Sequence, residues 1–151
     1  MAARKKLLVV TGATGFVGRH FVERILDEQG IEVRCLVRPG SDTSALAAMG
    51  DRVSLVDGDI TRPGSLETAF AGAWAVVNLA GYRDFWSRHR DHFYEVNERG
   101  AGNVFHACLD AGVKKVVQVS TPLAYGAPAR IPFDEDTPPG DVVWYAYFAP
   151  Y

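Results

Sequence analysis

Long apolar runs, basic blocks, internal repeats and spaced cysteine pairs are all missing from this sequence, and each absence narrows what it can do. No apolar stretch approaches the roughly 20 residues needed to cross a bilayer. Residues 1–6 are basic and Leu7-Leu8-Val9-Val10 apolar, imitating the start of a signal peptide, but so short an apolar run cannot serve as its hydrophobic region. The formal charge is -2 and no lysine or arginine cluster stands out, so neither a nucleic-acid nor a membrane-surface role is expected. Cys35 and Cys108 fall inside apolar patterns rather than at a metal or redox spacing; they read as small core residues of a reducing, cytoplasmic compartment. His20, His89, His92 and His106 show no metal spacing with carboxylates or cysteines, and read as solvated. With no linker or low-complexity tract, the 151 residues form one domain, and at 48% hydrophobic they can bury a core.

What is present begins directly after that first apolar run. Residues 11–18 read Thr-Gly-Ala-Thr-Gly-Phe-Val-Gly and are followed by a helical pattern. A strand feeding a tight glycine turn into a helix N-terminus is the usual way to hold a dinucleotide pyrophosphate. Gly12 lets the chain turn sharply off the strand, and Gly15, lacking a Cβ, lets backbone N–H groups approach the phosphates. Gly18 lets the helix lie close on the sheet.

Hydrophobic periodicity gives an alternation of strands and helices. Strands are expected at 6–10, 32–37, 52–56, 73–79 and 115–120. Helices are expected at 15–29, with Val17, Phe21, Val22 and Ile25 on one face, and at 41–48, capped by Ser41 or Thr43. Another opens at Pro63 and Ser65 and packs Leu66, Ala69 and Phe70 inward. The longest spans 88–111 and is ended by Gly112. Strands separated by helices require right-handed crossovers and a parallel sheet covered on both faces. The fold class is therefore α/β: a doubly wound, Rossmann-type parallel sheet of order 3-2-1-4-5, with its ligand at the carboxyl ends of the strands. Residues 122–151 are rich in proline and glycine, then aromatic, and read as a long functional loop.

Cofactor preference follows from the end of the second strand. A carboxylate that holds a ribose 2′-hydroxyl is expected about twenty residues beyond the glycines. Counting from Gly18 lands on Arg38, in Leu36-Val37-Arg38-Pro39-Gly40, and no carboxylate stands there. An arginine suits a 2′-phosphate. NADP is thus the preferred cofactor, with NAD possible; a solvated arginine before a turn is the alternative.

Several spaced segments together resemble one family. They are the glycine turn at 11–18, Asp57-Gly58-Asp59-Ile60, Asn78-Leu79-Ala80-Gly81, Val96-Asn97 with Gly100 and Asn103-Val104, Val113-Lys114-Lys115-Val116-Val117, and Ser120-Thr121 followed by Ala124-Tyr125-Gly126. The chain resembles the extended short-chain dehydrogenase/reductases, the NAD-dependent epimerase/dehydratase family, and within it the dihydroflavonol-reductase and 3β-hydroxysteroid-dehydrogenase-like members. The resemblance implies a cofactor held by Gly12, Thr14, Gly15, Phe16, Val17 and Gly18 of the turn, and by Leu79, Ala80, Gly81, Asn97 and Ser120 beyond it. It further implies that Asp59 meets the adenine amino group while Ile60 covers the ring. For Asp59 a capping role before Thr61 and Pro63 stays equally open. For Asn97 a purely structural contact stays open too. The aromatic stretch from Tyr82 to Trp86 either lines the pocket or packs as a loop.

By the same resemblance, catalysis needs a hydroxyl, a proton-transferring tyrosine and a lysine four residues after it. Thr121 matches the hydroxyl and Tyr151, following Pro150, the tyrosine; no lysine follows. The chain is expected to be truncated at its C-terminus, without the substrate-binding part, and to self-associate through an unpaired sheet edge and the apolar tail at 142–151. The implied activity is hydride transfer between nicotinamide and a small-molecule carbonyl or alcohol substrate. A non-catalytic dinucleotide-binding module, or a half-domain serving as structural partner of another chain, are the alternatives.

Overall fold

The computed structural model describes residues 5–83, 91–121, 126, 130–138 and 140. Five strands pair in parallel into one sheet: β1 (Lys6–Thr11), β2 (Ile31–Val37), β3 (Val53–Asp57), β4 (Ala75–Asn78) and β5 (Lys115–Gln118). Their order is β3-β2-β1-β4-β5, as the alternation of elements predicts. The central β1 sits in register with both neighbours, Val10 lying opposite Cys35 on β2 and Val77 on β4. Its residues 8–11 are fully or nearly fully buried, because a central parallel strand is covered on both faces.

The pleat sends successive side chains into two separate cores. On one face Leu8 and Val10 join Val33, Cys35, Val37 and Val77 beneath helix α1 (Phe16–Ile25), whose Val22 is fully buried, and the short α2 (Ser44–Ala47) with Leu46. On the other face Val9, Leu36 and Val76 meet Leu66, Ala69 and Phe70 of α3 (Leu66–Phe70). Val104 and Cys108 of the last helix complete this second core. Burial pushes the Cys35 thiol up to about 12 and the Cys108 thiol up to about 11, so both stay protonated at neutral pH.

The expected helix at 88–111 is helical throughout its described part, but not uniformly α. A turn of α-helix, α4 (Asp91–Phe93), runs into a π-helical segment, Tyr94–Gly100, and then into α5 (Ala101–Asp110). Two packing constraints account for the altered register. Gly100 lies so close to Ile60 that a Cβ there would stand 2.8 Å from Ile60 Cδ1. Asn103 Nδ2 donates to the Ile60 carbonyl at 2.8 Å. Both fix α5 against the chain leaving β3, while the residues before them are held to the chain leaving β4.

Other expectations shift at their edges. The first helix stops at Ile25 rather than 29, and Gly30, at φ +77, turns the chain into β2. Val17 is 60% exposed and does not share the inward face. The buried line of α1 passes through Gly18 and Val22, and Val17 points 100° away from it. Thr43 holds the N-cap position of α2, as one of the two expected candidates, but its side chain makes no cap bond; Asp42 Oδ1 accepts the Ser44 N–H at 2.9 Å instead. That bond and the Ser44 side chain hold the Asp42 carboxyl below its ordinary value.

Helix α3 is only five residues long, too short to stand without packing. Phe70 is fully buried at its end, and Arg34 of β2 donates to the Ala69 and Ala71 carbonyls at 2.8 and 3.1 Å. Phe70→Ala should lower stability by about 3–5 kcal/mol. Urea unfolding checks this: the midpoint should fall with the slope unchanged.

Candidate functional site

Hydrogen bonds at the carboxyl ends of the central strands build the floor of a cleft. Thr11 ends β1, fully buried, and its hydroxyl donates to Asn78 Oδ1 at the end of β4. Asn78 Nδ2 in turn donates to Gln118 Oε1 on β5 at 2.7 Å, and the Thr11 hydroxyl accepts the Ala80 N–H at 3.3 Å. One polar chain, buried at Thr11 and Asn78 and exposed at Gln118, therefore ties three strand ends together. Each member satisfies its neighbour, as burial requires.

Immediately above this floor the glycine turn begins. Gly12 has φ +67, and a Cβ there would lie 2.6 Å from the Ala80 nitrogen. The turn thus folds directly onto the chain leaving β4. Gly18 is equally constrained: its Cβ would stand 2.2 Å from the Gly12 carbonyl oxygen, so α1 can start only on a glycine-tight turn. Gly15 differs. A Cβ there would meet only the Gly12 oxygen, at 3.2 Å. Gly15 is the N-cap of α1; no side chain caps the helix and no acidic residue occupies its first turn. The amides of that turn are left for an anion, with the positive end of the helix dipole behind them.

The cleft holds about 900 Å³, counting space open to solvent, and is lined by Gly12, Thr14, Gly15, Arg38, Asp59, Ile60, Leu79, Ala80 and Gly81 among the expected residues. Arg38 lies exposed at the end of β2, and among the described residues its guanidinium meets no carboxylate. Asp59 is half committed: its Oδ1 accepts the Thr61 N–H and hydroxyl, each at 2.9 Å, in a turn that caps the chain leaving β3. Among the described residues no hydrogen bond is made to Oδ2. The capping and ligand-facing roles left open by the sequence are thus compatible at one side chain.

Five expected cofactor residues do not line the cleft. Phe16 and Val17 are 72% and 60% exposed on α1, and Gly18 faces the turn. Ser120 lies beyond the end of β5 and is exposed, as is Thr121, the expected catalytic hydroxyl. Asn97 is engaged elsewhere: its Oδ1 accepts the Tyr82 N–H at 2.7 Å and its Nδ2 donates to the Tyr82 carbonyl at 2.9 Å. Its amide clamps the π-helical segment to the chain leaving β4. Tyr151, the expected tyrosine, and Asp84, Phe85 and Trp86 of the aromatic stretch lie outside the described residues.

The cleft also takes residues the sequence reasoning passed over. Thr11, Leu36, Gly58, Thr61, His92, Glu95 and Val96 line it, together with Tyr82. His92 was expected to be solvated. Its ring stands edge-on to Tyr82 at 4.6 Å between centroids, and its Nδ1 lies 3.3 Å from Glu95 Oε2. Among the described residues no group of three or more histidines, cysteines or carboxylates could hold a metal ion, and no helix is long and apolar enough to cross a membrane.

A doubly wound parallel sheet, a glycine turn pressed between two strand ends and an uncapped helix over an open cleft define a Rossmann-type dinucleotide-binding domain. Residues 8–148 match the model of the NAD dependent epimerase/dehydratase family, and the chain belongs to that family. It is 33% identical over 144 residues to human 3 beta-hydroxysteroid dehydrogenase type 7, covering 90% of this chain and 39% of that protein. It is 33% identical over 117 residues to a Synechocystis protein named as a dihydroflavonol 4-reductase, covering 78% and 33%. The crystal structure of the Bordetella bronchiseptica enzyme WbmG in complex with NAD superposes with a TM-score of 0.78 at 28% identity, over 97% of this chain and 47% of that one. The chain spans less than half the length of each of these relatives.

Two glycine substitutions separate packing from ligand access. Gly12→Ala should lower the melting temperature and abolish dinucleotide binding together, because its Cβ collides with the backbone of β4's exit. Gly15→Val should lower melting less than Gly12→Ala, since its Cβ meets only the Gly12 oxygen at 3.2 Å, while binding is lost because the side chain fills the cleft. Thermal unfolding paired with cofactor titration reads both.

Proposed function

We propose that this domain binds NADP(H) in preference to NAD(H) and serves a cytoplasmic oxidoreductase of the epimerase/dehydratase kind. Such an enzyme moves a hydride between nicotinamide and a small-molecule carbonyl or alcohol. The observation that carries the cofactor reading is Arg38: a cation at the end of β2, lining the cleft, with no carboxylate beside it among the described residues. A 2′-phosphate there would gain a guanidinium, whereas a bare 2′-hydroxyl finds no acid to accept its hydrogen bond. The uncapped amides at Gly15 would take the pyrophosphate, and Asp59 Oδ2, with Ile60 beside it, the adenine.

Catalytic use of the site is supported by the relatives named as a dehydrogenase and a reductase. They favour it over a purely binding or structural role. Thr121 is the residue of this chain suited to hydrogen-bond a reacting oxygen, with Tyr151 as proton donor. A phenol titrates near 10, so proton transfer at neutral pH asks for roughly three units of lowering by nearby positive charge. The reducing compartment is supported by Cys35 and Cys108, both buried and both free thiols.

The cofactor assignment is tested by fluorescence titration with NADPH and NADH. NADPH should bind more tightly, and Arg38→Asp should reverse the order; equal affinities in the unaltered chain would remove Arg38 from the role. Self-association through the sheet edge belongs to the same reading. Strand β5 is largely exposed, with Val117 at 52% and Val119, just beyond it, at 48%. Edges of this kind template further pairing. Light scattering should therefore show a mass that rises with concentration, and a constant monomer mass would refute it.

A further inference from the structure

Besides the glycine turn, the cleft is lined by an imidazole–carboxylate pair that the family reading does not use. His92 and Glu95 stand three residues apart where α4 passes into the π-helical segment, and both line the cleft. The histidine is fixed on two sides: Glu95 Oε2 lies 3.3 Å from its Nδ1, and Tyr82 meets its ring edge-on at 4.6 Å. Tyr82 is itself immobilised. Both its backbone polar groups are held by Asn97, and Phe93 packs against its ring at 4.8 Å. The same i, i+3 pairing recurs on α1, where His20 Nδ1 lies 3.2 Å from Glu23 Oε2 and Phe16 stands edge-on to the ring at 5.0 Å; what sets His92 and Glu95 apart is that they line the cleft. Non-α turns inside long helices are also frequent at functional sites.

The leftover hydrogen-bonding capacity defines what the pair can take. With Nδ1 directed at Glu95, no hydrogen bond is made to Nε2 or to the second Glu95 oxygen among the described residues. A carboxylate there repels phosphate, so the pyrophosphate belongs at the glycine turn. The pair therefore suits neutral donors and acceptors, such as ribose hydroxyls or the edge of a base. The cleft does not include Ser120 or Thr121 beyond the end of β5, and it does include Arg38, Asp59 and Ile60, the residues assigned above to the adenosine end.

We infer that His92 and Glu95 form a further contact site for the adenosine half of the dinucleotide, held in place by Tyr82 and Asn97. This rests on the proposed dinucleotide binding. Calorimetric titration of the unaltered chain, His92→Phe and Glu95→Ala with NADP+ and with 2′,5′-ADP tests it. Each variant should bind both ligands about tenfold more weakly, by the same factor, which is the scale of one hydrogen bond to a charged group. Unchanged affinities in the variants overturn this site and leave the cofactor reading standing. A loss confined to NADP+, with 2′,5′-ADP unaffected, also overturns it, because the contact would then lie on the nicotinamide half. If the unaltered chain binds neither ligand, both readings fall. Glu95 is exposed and replaced by a good helix former, so Glu95→Ala decides the matter should His92→Phe fail to fold.

Discussion

The hydrogen-bond chain from buried Thr11 through buried Asn78 to Gln118 at the surface is the constraint on which the cleft depends. A parallel sheet has no hairpins to align its strand ends, so side-chain bonds across them do that work. The Thr11 hydroxyl both donates to Asn78 and accepts from the Ala80 amide. It thereby fixes where the chain leaves β4, and Gly12 turns against that same point with no room for a Cβ. The turn, the start of α1 and the Leu79–Ala80–Gly81 wall all inherit their positions from this one contact. Replacing a single partner would leave a buried polar group unsatisfied, which costs more than the bond itself contributes.

A second set of anchors works from the helical side. Gly100 and Asn103 hold α5 to Ile60, while Asn97 holds the π-helical segment to Tyr82. The two anchor points lie on chains leaving β3 and β4, which are not neighbours in the sheet, since β2 and β1 intervene. The helix bridges the gap, and the altered register lets both anchors be met at once. Side chains between and before the anchors, Val96, Glu95 and His92, are then delivered to the cleft. Family membership accounts for the frame, and the anchors account for how this chain furnishes its cleft.

Much of this was legible in the sequence because the relevant signals are local. Strand order followed from the alternation of apolar runs with helical patterns, and each glycine of the turn could be assigned by its spacing alone. Arg38 was found by counting from Gly18. Other features have no local signature. A π-helical register arises from contacts made by Asn97, Gly100 and Asn103 with distant segments, and periodicity within the helix cannot report it. Val17 looked inward on the helical spacing it shares with Phe21, Val22 and Ile25, but the buried line of α1 is set by where Gly18 must sit. His92 was read as solvated because it has no metal spacing with carboxylates or cysteines; the pairing with Glu95 three residues on, beside a tyrosine just after β4, was the available clue.

The two cysteines give the molecule an internal gauge. Cys35 belongs to the core under α1 and Cys108 to the core under α3 and α5, on opposite faces of the same sheet. Both thiols are buried and stay protonated at neutral pH, so an alkylating reagent can react only when the layer above each one lifts. The rates of modification at the two positions therefore time two separate events in a single unlabelled chain. A ligand that bridges the glycine turn and the π-helical wall would slow both clocks. One confined to the turn would slow chiefly that of Cys35.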